Sequence, residues 1–396
     1  MKSKWNSCQL GDVLELKRGY DLPNRHREDG EIPIISSSGI TGYHSEAKVS
    51  APGVVTGRYG TLGKVFFINQ DFWPLNTTLY VKDFKGNDPL FLSYFLKTLN
   101  FSNQNVAGAV PGVNRNYLHI MDVTIPEIQL QQKIASILST YDDLIENNTR
   151  RIKILEEMAQ RIYREWFVHF RFPDHEKVKM VESELGMIPD GWEVESINEI
   201  KYFNFINANV TPYEDKKEYF ATANIEGTKI IKQGIWYEHK NKPSRAQKQP
   251  VIFSVWFARM KDTFKVLGFS EINKNLAEKS ILSSGFAGFK SEKDVFGFLY
   301  YTINSEHFHI LKDIYCTGAT QMSLTNEGLK KINTIVPPEN LIHKFSSTVN
   351  PMIDTCLLLE KSNQNLRQTR DLLLPKLISG KIDVEDLDID TGELVA

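Results

Sequence analysis

The chain has 396 residues, 41% hydrophobic and 24% charged, with a formal net charge of −2. Such values fit a globular protein of two or three domains and exclude a collagenous or low-complexity chain. With so even a charge balance, any binding of nucleic acid must come from positive charge gathered on one face.

No long apolar run or signal-peptide pattern is present, so neither a membrane partner nor export is expected. Cys8, Cys316 and Cys356 are widely spaced and form no Cys-x-x-Cys pair. That predicts a cytoplasmic, reducing compartment and no structural zinc.

Residues 1–126 read as a mixed domain of short strands. IPIISSSGI, GVVTGRYGTLGKVFFI and TTLYVKDF are β-branched or aromatic runs punctuated by Gly, Pro and Asn. A helix is expected from Pro89 to Leu99, with proline suited to its first turn.

Residues 127–172 carry the longest helical pattern. Ile134, Tyr141, Asn148, Leu155 and Ile162 recur at the heptad step, and Leu138, Ile145, Ile152, Ala159 and Trp166 fill the second seam position. A charged connector, residues 173–188, is read as poor in strands.

At residues 189–337 the first domain returns. Trp192 to Ile197 copies the spacing of Trp5 to Leu10, and Ile200 copies Val13. One constant offset lays the strand ending at Arg259 on the strand ending at Arg58, with Lys265 on Lys64. A second offset carries Ile125-Pro126 onto Val336-Pro337. It also carries the first seam onto Phe345, Met352, Leu359, Leu366 and Leu373, with Val349, Cys356, Asn363, Arg370 and Leu377 between them, in residues 338–380. Pro351 and Pro375 interrupt that second pattern, predicting a late start or kink at the first and a break at the second. Residues 381–396 form an acidic tail, read as solvated.

The expected fold is therefore α+β: two mixed α/β domains separated by two long antiparallel helices that form a coiled-coil rod, with a pseudo-twofold internal repeat. Antiparallel pairing sets the Ile134 end against the Leu377 end and brings Asn148 opposite Asn363. Two facing Asn would fix the register of the seam. In the other reading each sits in water at the seam's edge. From Ile134 to Trp166 the rod spans ~50 Å, on the order of 15 base pairs of B-DNA.

Candidate catalytic motifs fail on their spacing. GRYGTLGKV (Gly57–Val65) lacks the glycine spacing and the hydroxyl of a phosphate-binding loop and reads as a strand turn displaying Arg58 and Lys64. PDHEK, at Pro173 to Lys177, lacks the adjoining strand of a nuclease metal site. VPPEN, at Val336 to Asn340, lacks the flanking residues of an amino-methyltransferase loop. His307 and His309, placed on one face if they lie in a strand, have no further ligand candidate. No catalytic residue and no metal site is expected.

What remains suits binding to double-stranded DNA. The first domain offers Lys17, Arg18, Tyr20, Arg25, Arg27, Ser37, Arg58, Tyr59, Lys64, Asn114 and Arg115. The second offers Lys240, Lys242, Arg245, Lys248, Arg259, Lys261, Lys265, Thr320, Gln321 and Ser323. Lys and Arg contact phosphates; Arg, Asn and Gln pair with base edges. Rival readings are a single-chain DNA methyltransferase or nuclease, and a coiled-coil scaffold that binds only proteins.

GMIPDGWEV before the second domain, GATQMSL at its close and IPEIQLQQKIASIL at the start of the first helix make the chain resemble the specificity subunits of type I restriction-modification systems. The likeness covers nearly the whole chain. It implies two target-recognition domains reading the halves of a split, asymmetric DNA target. It also implies a helical rod that sets the gap and docks two methyltransferase subunits, with motor-nuclease subunits joining for restriction. This chain would hold no cofactor of its own; S-adenosylmethionine, ATP and Mg would belong to the partners. GAVPGVN, at Gly108 to Asn114, departs from the family's Gln-containing loop, which puts base contacts from Pro111 to Asn114 in question.

Overall fold

The computed structural model describes residues 5–59, 61–99 and 112–389. The chain divides into two compact units, residues 1–147 with 363–396, and residues 148–362.

The first unit opens with β1 (Trp5–Gln9), the single turn α1 (Leu10–Val13) and β2 (Glu15–Arg18). Then come β3 (Ile32–Ser36), β4 (Gly39–His44), β5 (Gly53–Gly57), β6 (Val65–Ile68), β7 (Trp73–Pro74) and β8 (Thr78–Asp83). Strands β2, β8, β5 and β6 form one sheet in that order, and β4, β3 and β7 a second. Next, α2 (Pro89–Thr98) starts at the expected proline, and the Asp88 carboxylate accepts from the Phe91 amide at 2.6 Å to cap it. After α3 (Arg115–His119), β9 (Asp122–Pro126) pairs antiparallel with β1. The apolar face of α2 lies in one core with Val54, Leu79 and Val81 and with Leu130, Ile134 and Leu138 of α4 (Ile128–Tyr163).

The second unit begins within α4 and continues through a wide helical turn, Arg164–Val168. It contains the hairpin β10 (Met180–Ser183) and β11 (Gly186–Pro189), then β12 (Glu193–Ser196), β13 (Asn204–Phe205) and β14 (Lys217–Phe220). These are followed by β15 (Ile225–Glu226), β16 (Lys229–Ile230), β17 (Ile235–Tyr237), β18 (Ala246–Lys248), β19 (Ser254–Ala258) and β20 (Val266–Phe269). Beyond them lie α5 (Lys274–Lys279), β21 (Ser280–Ser283), β22 (Phe286–Lys290), α6 (Lys293–Asn304) and α7 (Glu306–Ile314). The unit closes with β23 (Cys316–Thr317), β24 (Ser323–Leu324), α8 (Asn326–Leu329), β25 (Asn333–Val336) and the beginning of α9 (Glu339–Ile378).

The duplication read from sequence is present at the level of hydrogen bonds. The sheet β13-β22-β19-β20 has the order of β2-β8-β5-β6. Gly53 pairs with Ile68 and Ser254 with Phe269; Asn6 pairs with Ile125 and Glu193 with Val336. Leu10 donates to Met121 O and Ile197 to Ile332 O, both at 2.9 Å. Leu10, Val13, Ile197 and Ile200, the repeated apolar positions, are all buried.

The heptad reading holds within each unit. No seam position of either helix is exposed. In the first unit Ile134 and Leu377 share a core, and the Arg370 guanidinium pairs with the Asp142 carboxylate, one residue from the expected antiparallel register. Asp142 also accepts from the Tyr94 hydroxyl of α2 at 2.5 Å, which ties the sheet domain to the helices. In the second unit the Cys356 thiol points at Ile152 O, 3.8 Å away, and Ala159 packs with Phe345 and Val349. Asn148 and Asn363 are 9% and 3% exposed, so neither sits in water.

An aromatic cluster closes that end of the second unit. The Phe345 ring lies 4.9 Å from Phe167, 5.8 Å from Trp166, 5.9 Å from Tyr163 and 6.1 Å from Tyr301. Helix α6 approaches α9 through Gly297, where an added Cβ would stand 2.5 Å from the Val349 side chain.

Four expectations are corrected. Helix α9 runs unbroken through Pro351 and Pro375. The carbonyls they orphan, four residues earlier, are those of Ser347 and Asp371, both exposed residues, so water can satisfy them. The connector at 173–188 is not poor in strands, because β10 and β11 pair through it. His307 and His309 lie on α7, where a two-residue step puts them on different faces: His307 is exposed, while the His309 ring packs at a tilt on Phe264 and edge-on to Phe308. The described part of the acidic tail keeps its acidic side chains exposed but is anchored on the first unit through its apolar residues and backbone. Val384 is 3% exposed, and Lys133 Nζ donates to Glu385 O and Leu387 O.

Candidate nucleic-acid interface

Each unit presents an arginine where its central strand ends, Arg58 after β5 and Arg259 after β19. The surrounding backbone is the same in both. Gly57 donates to Lys64 O and Ala258 to Lys265 O; Val113 donates to Arg58 O and Leu324 to Arg259 O. Tyr59 bridges Gly112 and Met260 bridges Ser323. An added Cβ on Gly112 would lie 2.5 Å from the Tyr59 ring, so this approach requires glycine. The expected equivalence of Arg58 with Arg259, and of Lys64 with Lys265, is thus a matter of register.

Their side chains are used differently. The Arg58 guanidinium sits 4.6 Å over the Tyr59 ring, and Tyr59 is 40% exposed. Lys64 is exposed across the turn, and Ser37 lies beside Gly57. Arg259 instead donates to Leu324 O at 2.9 Å and to Asn326 Oδ1 at 2.7 Å, and burial draws its pKa below the ordinary guanidinium value. Lys265 Nζ donates to Thr222 O at 2.7 Å.

Most of the first unit's other candidates lie on β2, the loop after it and α3. Lys17 Nζ donates to the Tyr20 hydroxyl at 3.4 Å, which lies 3.0 Å from the Tyr80 hydroxyl. These contacts, that with Tyr80 first, lower the Tyr20 pKa. Arg18 is 3.7 Å from Asp21, both exposed; Arg25 is exposed and Arg27 half-buried. Asn114 caps α3 by accepting from the Asn116 amide at 3.0 Å, and Arg115 is exposed with one nitrogen 3.5 Å from Leu16 O. The rest of the Gly-rich loop, Gly108 to Pro111, lies outside the described residues.

In the second unit two connections meet. The β19–β20 turn carries Lys261, and its amide donates to Met322 O at 3.0 Å in the β23–β24 hairpin. That hairpin exposes Thr320 and Gln321 and half-buries Ser323. Lys240 and Arg245 are exposed, with Lys240 3.5 Å from the Glu238 carboxylate. Lys242 Nζ donates to Ala246 O. Lys248 is 9% exposed and donates to Asn207 O and Asn209 Oδ1, both at 3.1 Å, and burial lowers its pKa. Its amine is spent inside the domain.

Exposed guanidinium and ammonium groups suit phosphates, and Gln321 on an exposed tip suits a base edge. Sequence reading overlooked Met260, 41% exposed at the position matching Tyr59, and the wholly buried Lys312. Lys312 had a signal: it follows Phe308 by one helical turn and so belongs to the buried face of α7.

Comparison with known proteins agrees with this architecture. Residues 2–157 match the family model described as the type I restriction modification DNA specificity domain. The type I restriction enzyme MjaIX specificity subunit of Methanocaldococcus jannaschii is 27% identical over 422 residues, covering 97% of this chain and 94% of that protein. The HindI specificity subunit of Haemophilus influenzae is 22% identical over 406 residues, covering 81% of this chain and 84% of its own. The crystal structure of the type I restriction-modification S subunit from M. genitalium superposes with a TM-score of 0.63 at 14% identity, covering 96% and 97% of the two chains. Residues 2–157 thus carry the type I restriction modification DNA specificity domain, and along nearly its full length the chain is similar to specificity subunits of type I restriction enzymes.

Proposed function

We propose that this chain reads a split, asymmetric target on double-stranded DNA, one half-site for each recognition domain. As a specificity subunit it is a noncatalytic recognition component that assembles with other subunits of its complex. The reading is supported above all by one observation: the two domains repeat the same strand register around Arg58 and Arg259 while differing in the residues on their loops. Like scaffolds then offer unlike words. Opposed half-sites fit a repeated reader, as paired readers meet palindromes.

The partners in this reading are two methyltransferase subunits and the motor-nuclease subunits. S-adenosylmethionine, ATP and Mg belong to them, and adenine is the base modified. The two long helices would set the number of unread base pairs. Among the described residues no helix is long and apolar enough to cross a membrane, and the cytoplasm, where the DNA lies, is the proposed compartment.

The test is selection of random duplexes on the chain assembled with its methyltransferase subunits, followed by sequencing. A single two-part motif with a fixed gap is expected, with binding that weakens steeply as salt rises. Methylation by the chain alone would favour the enzyme reading, and absence of any sequence preference would favour the protein-binding scaffold.

A further inference from the structure

Lys312 is a lysine whose side chain is 0% exposed. Its ammonium donates to Met260 O and Thr263 O, both at 2.9 Å, and lies 2.8 Å from the Asp313 carboxylate. A buried ammonium is tolerated only when its protons are matched, and here three oxygens match the three protons. Two of them are backbone carbonyls of the turn that carries Lys261. The same Asp313 oxygen accepts from the Asp262 amide at 3.1 Å, where the backbone has φ +53°. The turn is joined in addition to the β23–β24 hairpin through Lys261 N and Met322 O. One internal cation therefore sets the shape of the β19–β20 turn and, through it, of the hairpin bearing Gln321.

We propose that Lys312 is a positioning residue for base reading by the second recognition domain. It touches no DNA; it holds the Lys261 turn and the Gln321 hairpin at the mutual geometry in which they meet base edges. A site that reads bases must be held within a fraction of an ångström, and such a buried, fully bonded support provides that. The proposal rests on the split-target reading above.

The experiment is the same duplex selection, run with the wild-type complex and with complexes carrying Lys312→Met or Asp313→Asn. In the variants one half-site should lose preference, by roughly tenfold between the best and singly substituted bases. The other half-site should keep its preference, and the salt dependence should stay as in wild type, because no phosphate contact is removed. Equal sharpness in both half-sites for both variants overturns the proposal, as does equal loss in both. If Lys312→Met prevents folding, Asp313→Asn decides, since it keeps the volume and one acceptor oxygen while removing the charge that faces the ammonium. A wild-type complex that selects no split sequence overturns the split-target reading and this proposal together. A wild type that selects one, with variants equally sharp, overturns this proposal alone.

Discussion

Arg58 and Arg259 occupy the same place in two copies of one scaffold, yet their replacement by alanine should have opposite consequences. Arg259→Ala removes two charge-assisted hydrogen bonds, to Leu324 O and Asn326 Oδ1, that pin the β23–β24 hairpin and α8 to the end of β19. Bonds from a charged donor contribute about 1.5–3 kcal/mol each, and the desolvation of the guanidinium offsets part of that, leaving a net loss of about 3 kcal/mol. For a unit of this size that lowers the melting temperature by roughly 6–12 °C. Arg58→Ala removes a half-exposed guanidinium resting on Tyr59, about 0.5–1 kcal/mol and so roughly 1–4 °C. Its larger effect should be on DNA: weaker binding to all sequences and a salt slope smaller by about 1. Calorimetry suits the stability comparison, because a chain of two units need not melt in one step. If Arg259→Ala melts within about 1 °C of wild type, or no lower than Arg58→Ala, the assignment of Arg259 to the fold is refuted.

Phe345→Ala should destabilise the second unit by about 3–5 kcal/mol, since it removes a wholly buried ring from the centre of an aromatic cluster; denaturant unfolding followed by tryptophan fluorescence, with Trp166 next to the site, reads the loss. Burial raises the Glu360 carboxyl to about 7, so its contribution to stability is full below about 4.5 and is lost as pH climbs through 7. Glu360→Gln should gain on the wild type across that interval, by on the order of 2 kcal/mol, in melts taken at stepped pH. Burial holds His309 down at about 4, so its contribution is full above about 6.5 and is lost as pH falls through 4. His309→Gln should therefore gain on the wild type toward acid, and parallel curves for wild type and variant would show that the ring is not confined as described. Deleting seven residues from each long helix, centred on Asn148 and Asn363, should shorten the selected gap by roughly three base pairs, one heptad's ~10.5 Å; an unchanged gap means the helices do not set it.

Much of the fold was legible because its signals are periodic. The heptad positions of α4 and α9 recur in the structure as buried or half-buried residues, the proline opens α2, and the repeated Trp-to-Ile spacing recurs as paired strands. Less regular signals were misread. Pro351 and Pro375 were weighed as local breakers, but packing and exposed carbonyls sustain α9 through them. The acidic composition of the tail hid its Ile382, Val384 and Ile389, which join the first unit's core. A short, charged hairpin at Met180–Pro189 had no apolar run to announce it.

The candidate interface divides in the same way. Sequence alone determined the duplication, the helical seams and the equivalence of Arg58 with Arg259, because periodicity and spacing are properties of the chain that survive folding. Only the tertiary structure decided where the long cationic side chains end: Arg58 and Lys64 at the surface, Arg259, Lys248 and Lys265 on oxygens of their own unit, Lys312 inside. A lysine or arginine reaches several ångströms from its backbone, so its fate is set by whichever carbonyls and carboxylates distant segments bring within that reach.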